Sequence, residues 1–344
     1  MTEDGAPWLC LPLLECLVAA HGGPVERERL CREAGLPGED LPGEIDRLRD
    51  AGYVVERVHP HGVAAYRLAG FPDRLYGHEV RRRLSTSWIG RRILSVAVCG
   101  STNDLARELA GRGAPAGSLV LAEEQTAGRG RGRRRWHSPP GLGLCFSLVL
   151  RPRSPLRSAA LLQAAAAVGV AHGIMKLTGR PLTLRWPNDV LMNGKKLAGT
   201  LVEAIDVEPA EAALVAGIGL NVNQTAESFP FEIATEATSL LVETGLRRNR
   251  LDVLCAVLCS LEEWYDRMER GESAAIADAW RPLCCLLGRR VRLRRGDREM
   301  AGVVKELSPL TGILLATPGG GEVRVAAEHV SLVRPDPDDP VTAK

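Results

Sequence analysis

The stretch PLTLRWPNDVLMNGKKLAGTLVEAI, residues 181–205, decides the fold class of this chain. It contains two apolar strand candidates joined by NGKK, and Asn193–Gly194 favours a tight β-hairpin because both residues readily adopt positive φ. The segment EAALVAGIGLNVN, residues 211–223, is a further strand candidate. Strands that are mostly joined by hairpins, with helices on one side, predict an α+β sheet.

The same unit extends outward from this hairpin over residues 84–283. Further strand candidates lie at 87–98, 118–125 and 142–152. A helix is predicted over 101–113, where Ser101 or Thr102 can act as the N-cap, and a long apolar helix is predicted over 158–179. We therefore expect one central mixed domain.

Residues 1–70 predict a separate unit that precedes the central one. Helical spacing covers residues 11–22, 26–36 and 41–53, and residues 54–68 alternate around a turn at His59–Gly62. Three helices followed by a hairpin are typical of a winged helix-turn-helix. Residues 71–84 form a plausible hinge to the central domain.

The last unit, residues 286–335, is short and rich in strand candidates. Turn residues recur about every ten positions, a spacing that predicts a small β-barrel. Residues 336–344, rich in proline and aspartate, are predicted to be a flexible tail.

Composition narrows the classes of function. The chain has 344 residues, enough for two or three domains, and its net charge of +2 argues against a protein that coats nucleic acid. The N-terminal sequence does not have the pattern of a secretion signal, so the nine cysteines are predicted to be free thiols in the reducing cytoplasm. A zinc site from Cys255, Cys259, Cys284 and Cys285 is weakly supported because no tight Cys-x-x-Cys pair occurs. We expect no membrane-spanning segment.

The stretch EEQTAGRGRGRRRW, residues 123–136, gathers five arginines into seven positions among glycines. Glycines let backbone amides turn towards an anion, and arginine offers planar donors that match phosphate oxygens. It is neither a P-loop nor a dinucleotide-binding fingerprint. Taken alone, this arginine loop (residues 126–136) could bind phosphate, form a nucleic-acid patch, or be a solvated surface loop.

Residues 185–199, RWPNDVLMNGKKLAG, favour phosphate binding among the three alternatives for the arginine loop. Asn188 and Asp189 could order Mg²⁺ or polar ligand groups, and Lys196 enters an apolar strand where an anion would offset its desolvation. The alternatives are an ordinary exposed lysine at this hairpin, and plain core packing for Trp136 and Trp186.

These residues closely resemble the bacterial biotin protein ligases, in particular the bifunctional ligase–repressor type. The motifs are STN at 101–103, EEQTAGRGRGRRRW at 123–136, RWPNDVLMNGKKLAG at 185–199 and GIGLNVN at 217–223, in the family's order. The resemblance implies a class II synthetase-like catalytic domain between a winged helix-turn-helix and an SH3-like barrel. It also implies that biotin and Mg²⁺-ATP give biotinyl-5′-AMP, and that the biotinyl group passes to a lysine of the biotin carboxyl carrier protein of acetyl-CoA carboxylase.

The resemblance also assigns roles to residues. Those implied to bind biotin are Ser101, Thr102, Asn103, Gln125, Arg129, Gly130, Arg131, Lys196, Gly199, Gly217 and Gly219. Those implied to bind ATP or the adenylate are Arg129, Arg131, Arg134, Trp136, Asn188, Lys196 and Asn221. Arg131, Lys196 and Asp189 are the implied catalytic residues, and Asp189 is the implied metal ligand.

Two departures from the family pattern stand out. Arg185 occupies the position where the family usually has lysine, so the charge is kept but a deprotonatable group is lost. The loop reads GRGRGRRR in place of the commoner GRGRRGR, which moves one glycine. We expect activity to survive both changes.

Three functions stay open at this point. The first is the ligase, the second is a regulator whose central unit only senses an acyl ligand, and the third is a lipoate or other acyl ligase. Operator binding through residues 1–70 competes with a purely structural or dimer-tuning role, because the predicted recognition helix around residues 39–50 is net negative. A homodimer of the adenylate-bound form is expected from the resemblance.

Overall fold

The computed structural model describes residues 6, 8–153, 155–205, 213–295, 298–326, 330 and 332–336. The chain divides into two compact units, Met1–Tyr76 and Gly77–Lys344. The predicted domain limits at residues 84 and 286 therefore remain predictions, since the central and C-terminal segments belong to one compact unit.

The first unit contains three helices and three short strands. The helices are α1 (Leu11–Ala19), α2 (Arg27–Ala34) and α3 (Leu41–Asp50), and the strands are β1 (Val25–Glu26), β2 (Val54–Val58) and β3 (Ala65–Gly70). The strands form an antiparallel sheet in the order β1-β3-β2. This confirms the predicted three helices and hairpin, whereas the two-residue strand β1 is too short to leave an alternating pattern.

The second unit begins with a mixed α and β segment. Its elements are α4 (Gly77–Arg83), β4 (Ile93–Cys99), α5 (Thr102–Gly111), β5 (Leu119–Gln125), β6 (Gly143–Leu150), α6 (Pro155–Thr178), β7 (Thr183–Arg185), β8 (Asp189–Met192), β9 (Lys195–Ile205), β10 (Ala213–Asn221), α7 (Leu240–Thr244), α8 (Arg250–Glu269) and α9 (Ser273–Trp280). The strands form one seven-stranded sheet in the order β4-β5-β6-β10-β9-β8-β7. Only the β4–β5 pair, which α5 connects, is parallel among the described strands.

The Asn-Gly hairpin predicted within residues 181–205 is present. Asn193 and Gly194 adopt φ values of 49° and 79° between β8 and β9, as the Asn-Gly turn requires. Residues 181–205 hold three strands, not two, because the chain also reverses at residues 186–188, where β7 pairs antiparallel with β8 and Arg185 lies opposite Asp189. This turn places residues 186–188 at the edge of the site.

Helix α6 packs along α8 on one face of the sheet. The segment 159–178 of α6 is long enough and apolar enough to cross a membrane, judged by length and composition alone. This corrects the expectation that the chain contains no apolar stretch of that length. Two-thirds of that window (67%) is buried inside the protein. Gly173 lets the two helices approach closely, since a Cβ there would lie 2.8 Å from Ala256 O. The apolar composition therefore reflects a core helix.

The C-terminal strands form a second, five-stranded antiparallel sheet. They are β11 (Arg290–Arg295), β12 (Arg298–Ser308), β13 (Gly312–Ala316), β14 (Glu322–Val325) and β15 (Leu332–Pro335), in the order β14-β13-β12-β11-β15. Asp336, which was predicted to lie in the tail, is 1% exposed, and its side chain pairs with Arg290 and Arg292. The ordered sheet thus extends to residue 336, and the rest of the predicted tail lies outside the described residues.

Candidate active site

A small cavity of about 40 Å³ lies where the N-terminus of α5 meets β9 and β10. All the residues that the resemblance assigned to biotin line it except Arg131: Ser101, Thr102, Asn103, Gln125, Arg129, Gly130, Lys196, Gly199, Gly217 and Gly219. These residues come from four separate motifs. The fold therefore assembles them at one place, while their individual roles stay predictions.

A network of short polar side chains closes one end of this cavity. Gln125 Oε1 accepts hydrogen bonds from the Thr102 N–H at 2.8 Å and from the Thr102 hydroxyl at 3.1 Å. The Ser147 hydroxyl lies 2.7 Å from Thr102 Oγ1 and 2.6 Å from Asn103 Oδ1. Ser101 occupies the N-cap position of α5 but makes no side-chain capping bond, which corrects one of the two predicted caps. Neutral donors and acceptors in such an array suit a neutral polar group.

Glycines leave space for the opposite wall. A Cβ on Gly217 would overlap the Asn103 carboxamide, and one on Gly219 would overlap the Trp136 indole. The register pairs Gly199 directly with Gly219 across β9 and β10. Side chains of other elements can therefore lie flat against the sheet only because these positions carry no Cβ.

A buried charge cluster lies at the far end of the cavity. Lys196 Nζ is 2.5 Å from Asp189 Oδ1, and Arg185 Nη2 donates to Asp189 Oδ2 at 2.8 Å. Burial opposes ionisation of this carboxyl, but the charges of Lys196 and Arg185 outweigh it and lower the pKa of Asp189. Asp189 is therefore ionised, and it holds Lys196 with its ammonium group at the cavity.

The metal role predicted for Asp189 gains no support from this arrangement. Both of its carboxylate oxygens face cations, and the described part of the chain contains no cluster of three His, Cys, Asp or Glu side chains that could hold a metal ion.

The arginine loop folds as a small hairpin in this structure. Trp136 N–H donates to Gly128 O at 2.9 Å, and Gly130 N–H donates to Arg134 O at 2.6 Å. At the turn, Gly132 adopts φ 65°, and Arg131 Nε donates to Val330 O of the C-terminal segment at 2.7 Å. We call residues 128–136 the arginine hairpin.

A second cavity, of about 150 Å³, opens beside the first. It is lined by every residue predicted for the adenylate except Arg129: Arg131, Arg134, Trp136, Asn188, Lys196 and Asn221. Trp136 and Lys196 line both cavities, and Lys196 Nζ lies 5.6 Å from the centre of the Trp136 ring. The Trp136 side chain therefore separates two adjoining compartments and is more than core packing.

Three predicted side chains already have protein partners. The Arg129 guanidinium pairs with Asp104 at 2.6 Å and lies 3.9 Å from Glu203, so its charge is already offset by carboxylates of the protein. Asn188 Nδ2 donates to Thr200 O at 2.9 Å, and Asn221 Nδ2 donates to Thr238 O at 2.9 Å. These bonds fix the two amides at the second cavity.

Two acidic residues at the site were not predicted from the sequence. Asp104 directly follows the STN motif. Glu203 lies on β9, four residues after Gly199 and two after Leu201. Alternation along the strand places Glu203 on the same face as Gly199, and this spacing is the signal that could have identified it.

Comparison with known proteins gives consistent relatives. A family model described as the biotin/lipoate A/B protein ligase family matches residues 96–223. The bifunctional ligase/repressor BirA of Bacillus spizizenii is 38% identical over 309 residues, covering 90% of this chain and 94% of that protein. The biotin–[acetyl-CoA-carboxylase] ligase of Paracoccus denitrificans is 34% identical and covers 66% of this chain and 95% of its own. The structure of the biotin protein ligase from Aquifex aeolicus in complex with biotin and ATP has a TM-score of 0.61 at 29% identity, over 71% of this chain and 98% of that one.

Proposed function

The chain belongs to the biotin protein ligase family, and on that premise we propose how its site joins biotin to a carrier protein. Biotin and Mg²⁺-ATP give biotinyl-5′-AMP and pyrophosphate, and the biotinyl group then passes to a lysine of the carrier domain of acetyl-CoA carboxylase. One observation carries this assignment to the site: two adjoining cavities share Lys196 and Trp136, and the first is lined mostly by neutral polar groups and glycines, whereas the second contains Arg131 and Arg134.

The first step brings a carboxylate to a polyphosphate, so two anions must meet. A carboxylate oxygen of biotin forms a bond to the α-phosphorus, and the bond from that phosphorus to the bridging oxygen breaks as pyrophosphate leaves. Lys196 lies where the two cavities meet, and its positive charge offsets the repulsion. Arg131 and Arg134 line the nucleotide side and can follow the charge that develops on the phosphate.

The second step transfers the acyl group. The neutral amine of the carrier lysine forms a bond to the acyl carbon, AMP leaves with the bonding electrons, and the nitrogen loses a proton to give the amide. Asp189 is ionised and next to Lys196, so we propose that it keeps that ammonium at the acyl-phosphate end. Arg185 holds the other oxygen of Asp189, a role for which a permanent cation suffices. The replacement of the usual lysine is therefore compatible with activity.

A pyrophosphate assay tests the ligase activity and its rivals. With biotin and Mg²⁺-ATP, the full chain should release pyrophosphate, and omission of biotin should abolish the release. A chain that binds biotin without releasing pyrophosphate would be a sensor and not a ligase. Substituting lipoate or octanoate for biotin tests the third possibility, and neither should support release.

A second function, repression, rests on the similarity to proteins named bifunctional ligase/repressor. We propose that Met1–Tyr76 is a winged helix-turn-helix that binds operator DNA. Its charge is unusual for a DNA-binding unit, because residues 1–76 contain eight arginines and no lysine against thirteen acidic residues, a net charge of −5. On α3, Arg47 pairs with Glu44 and Arg49 pairs with Asp46.

Those internal pairs limit how many phosphates the unit can neutralise. A groove-binding protein releases about one counterion per phosphate contact, so few free cations mean weak dependence on salt. We expect binding to a biotin-operon operator with a shallow salt slope, measured by fluorescence anisotropy between low and physiological salt. Equal affinity for unrelated DNA of the same length would favour a structural role for this unit.

The remaining assignments complete the proposal. We infer that the C-terminal sheet is an SH3-like barrel, that the central sheet belongs to the class II synthetase-like fold, and that the protein acts in the cytoplasm. Formation of a homodimer upon adenylate binding follows from the resemblance and is testable by analytical ultracentrifugation with and without biotinyl-5′-AMP.

A further inference from the structure

A bidentate ion pair ties the arginine hairpin to helix α5. Arg129 Nη1 and Nη2 lie 2.6 Å from Asp104 Oδ2 and Oδ1 respectively. Two parallel N–H···O bonds fix the orientation of a guanidinium as well as its distance. Exposed ion pairs with loose geometry contribute little to stability. The geometry of this bidentate pair is close to ideal, and both oxygens of Asp104 accept a hydrogen bond.

A second carboxylate connects the same arginine to the biotin cavity. Glu203 Oε2 lies 3.9 Å from Arg129 Nη2 and accepts a hydrogen bond from Asn103 Nδ2 at 2.6 Å. The Asn103 carboxamide covers Gly217, and its oxygen contacts Ser147. Arg129 is therefore linked through Glu203 to the polar end of the cavity.

The backbone around Arg129 carries the rest of the hairpin. Gly128 O accepts from Trp136 N–H, and Gly130 N–H donates to Arg134 O, so two hydrogen bonds between the arms of the hairpin flank Arg129, which lies opposite Arg135. Restraining one glycine-flanked residue restrains its neighbours, and ordering each residue of a loop costs backbone conformational entropy. Anchoring Arg129 before biotin arrives removes part of that cost from binding.

We propose that Asp104 is a positioning residue that anchors the base of the arginine hairpin over the biotin cavity through Arg129. The proposal rests on the proposed function, because the hairpin is taken to cover biotin and its adenylate. It also separates two roles within the loop, since Arg129 serves the protein itself, whereas Arg131 and Arg134 face the nucleotide cavity.

The test compares Asp104→Asn with the full-length wild type. An amide cannot form the charge-assisted fork, so we expect the KM for biotin to rise about tenfold, equivalent to about 1.4 kcal/mol. The KM for ATP should change less than about twofold, since Asp104 does not line the second cavity among the residues described there. Biotinyl-5′-AMP should also escape faster, measured as biotin labelling of a bystander protein.

Further variants separate anchoring from general damage. Glu108→Gln, on the same helix and only 3.9 Å from Arg112, removes an exposed carboxylate of similar setting and should behave as wild type. If Asp104 acts through Arg129, the double variant Asp104→Asn with Arg129→Gln should have the same KM for biotin as Arg129→Gln alone, because the ion pair is already lost in the single variant.

The outcomes distinguish this proposal from the proposed function. A wild type that releases no biotin-dependent pyrophosphate contradicts the ligase activity itself. An active wild type together with an Asp104→Asn variant of unchanged biotin KM and unchanged adenylate escape overturns the anchor. A double variant whose KM for biotin exceeds that of Arg129→Gln by the full effect of Asp104→Asn also overturns it, since the effect would then not pass through Arg129.

Discussion

Lys195 and Lys196 are sequence neighbours on one strand, yet their surroundings differ. Lys195 is exposed at the hairpin, whereas the Lys196 side chain is 25% exposed and its ammonium pairs with Asp189 between the two cavities. Because successive residues of a strand point to opposite faces, only one of the two can reach the site. The sequence alone could not distinguish a functional Lys196 from an exposed hairpin lysine without the accompanying motifs.

We predict that Lys196→Gln slows adenylate formation about 100-fold or more, because it removes the cation at the point where two anions meet. The measurement is single-turnover formation of biotinyl-5′-AMP with saturating biotin and ATP. Lys195→Gln is the matched control and should retain nearly full activity. Equal rates in the two variants would show that Lys196 is an ordinary hairpin lysine.

Asp189 predicts a pH dependence of stability. Burial raises the pKa of the Asp189 carboxyl in the folded protein, but the nearby cations lower it by more, so the net shift is downward. The stabilising charge interactions are therefore present above the ordinary carboxyl pKa of about 3.9 and are lost as the pH falls through the lowered value. Asp189→Asn should therefore lower the free energy of unfolding by about 3–5 kcal/mol at pH 7.

That difference between Asp189→Asn and wild type should shrink at pH 3, below the ordinary carboxyl pKa of about 3.9, because unfolding of the wild type then takes up a proton at this carboxyl. Urea denaturation of both proteins at the two pH values measures it. If the free energies of unfolding of the two proteins differed by the same amount at pH 7 and pH 3, the charge of Asp189 would not contribute to stability, and only the shape of its side chain would.

The residues that sequence reasoning missed are instructive at this scale. Asp104 pairs with Arg129, and Glu203 accepts a hydrogen bond from Asn103, so each contacts another side chain of the site. A residue whose role is to hold a second residue leaves no motif of its own, so only the fold reveals the contact.

At the scale of elements, the arginine loop is the clearest case. Its glycines correctly indicated a segment that cannot be a helix, but the paired backbone of residues 128–136 could not be inferred from them. The hairpin depends on contacts with distant parts of the chain, such as Val330 and Asp104.

We predict that Arg131→Gly releases biotinyl-5′-AMP prematurely. The variant loses the bond from Arg131 Nε to Val330 O and a cation at the nucleotide cavity, so the hairpin tip is held less firmly. Labelling of bystander lysines should rise by about tenfold or more, the equivalent of about 1.4 kcal/mol of retention. Mass spectrometry of an unrelated protein in the reaction measures it.

Arg135→Gly provides the comparison within the same hairpin. The Arg135 guanidinium also lines the nucleotide cavity, but it is exposed and donates to Thr126 O at 3.3 Å, whereas Arg131 bonds Val330 of the C-terminal segment, so Arg135→Gly should leak less adenylate than Arg131→Gly. Tight retention by Arg131→Gly, or equal leakage from both variants, would count against a specific role for Arg131.

At the scale of the whole molecule, all the predicted site residues lie in Gly77–Lys344. The Aquifex aeolicus structure covers 71% of this chain and 98% of its own, so a shorter chain can be a complete ligase. The order of helices and strands was largely predictable, because hydrophobic periodicity and turn residues are local signals. That the C-terminal sheet belongs to the same compact unit as the central sheet could not be predicted from the sequence, because it depends on long-range contacts.

We expect a chain of residues 77–344 to keep biotin-dependent pyrophosphate release within about tenfold of the full protein, because its cavities are built from its own residues. The same chain should lose any binding to operator DNA. Release of pyrophosphate by both chains, together with anisotropy of labelled DNA, measures the two functions separately. Failure of a folded 77–344 chain to form adenylate would mean that the first unit contributes to the site.

The most direct test of the central claim is the mass of a carrier domain incubated with this protein, biotin and Mg²⁺-ATP. We predict the addition of one biotinyl group at a single lysine, dependent on ATP and strongly reduced by Lys196→Gln. A carrier domain whose mass stays unchanged, while an established biotin ligase modifies it under the same conditions, would contradict the account.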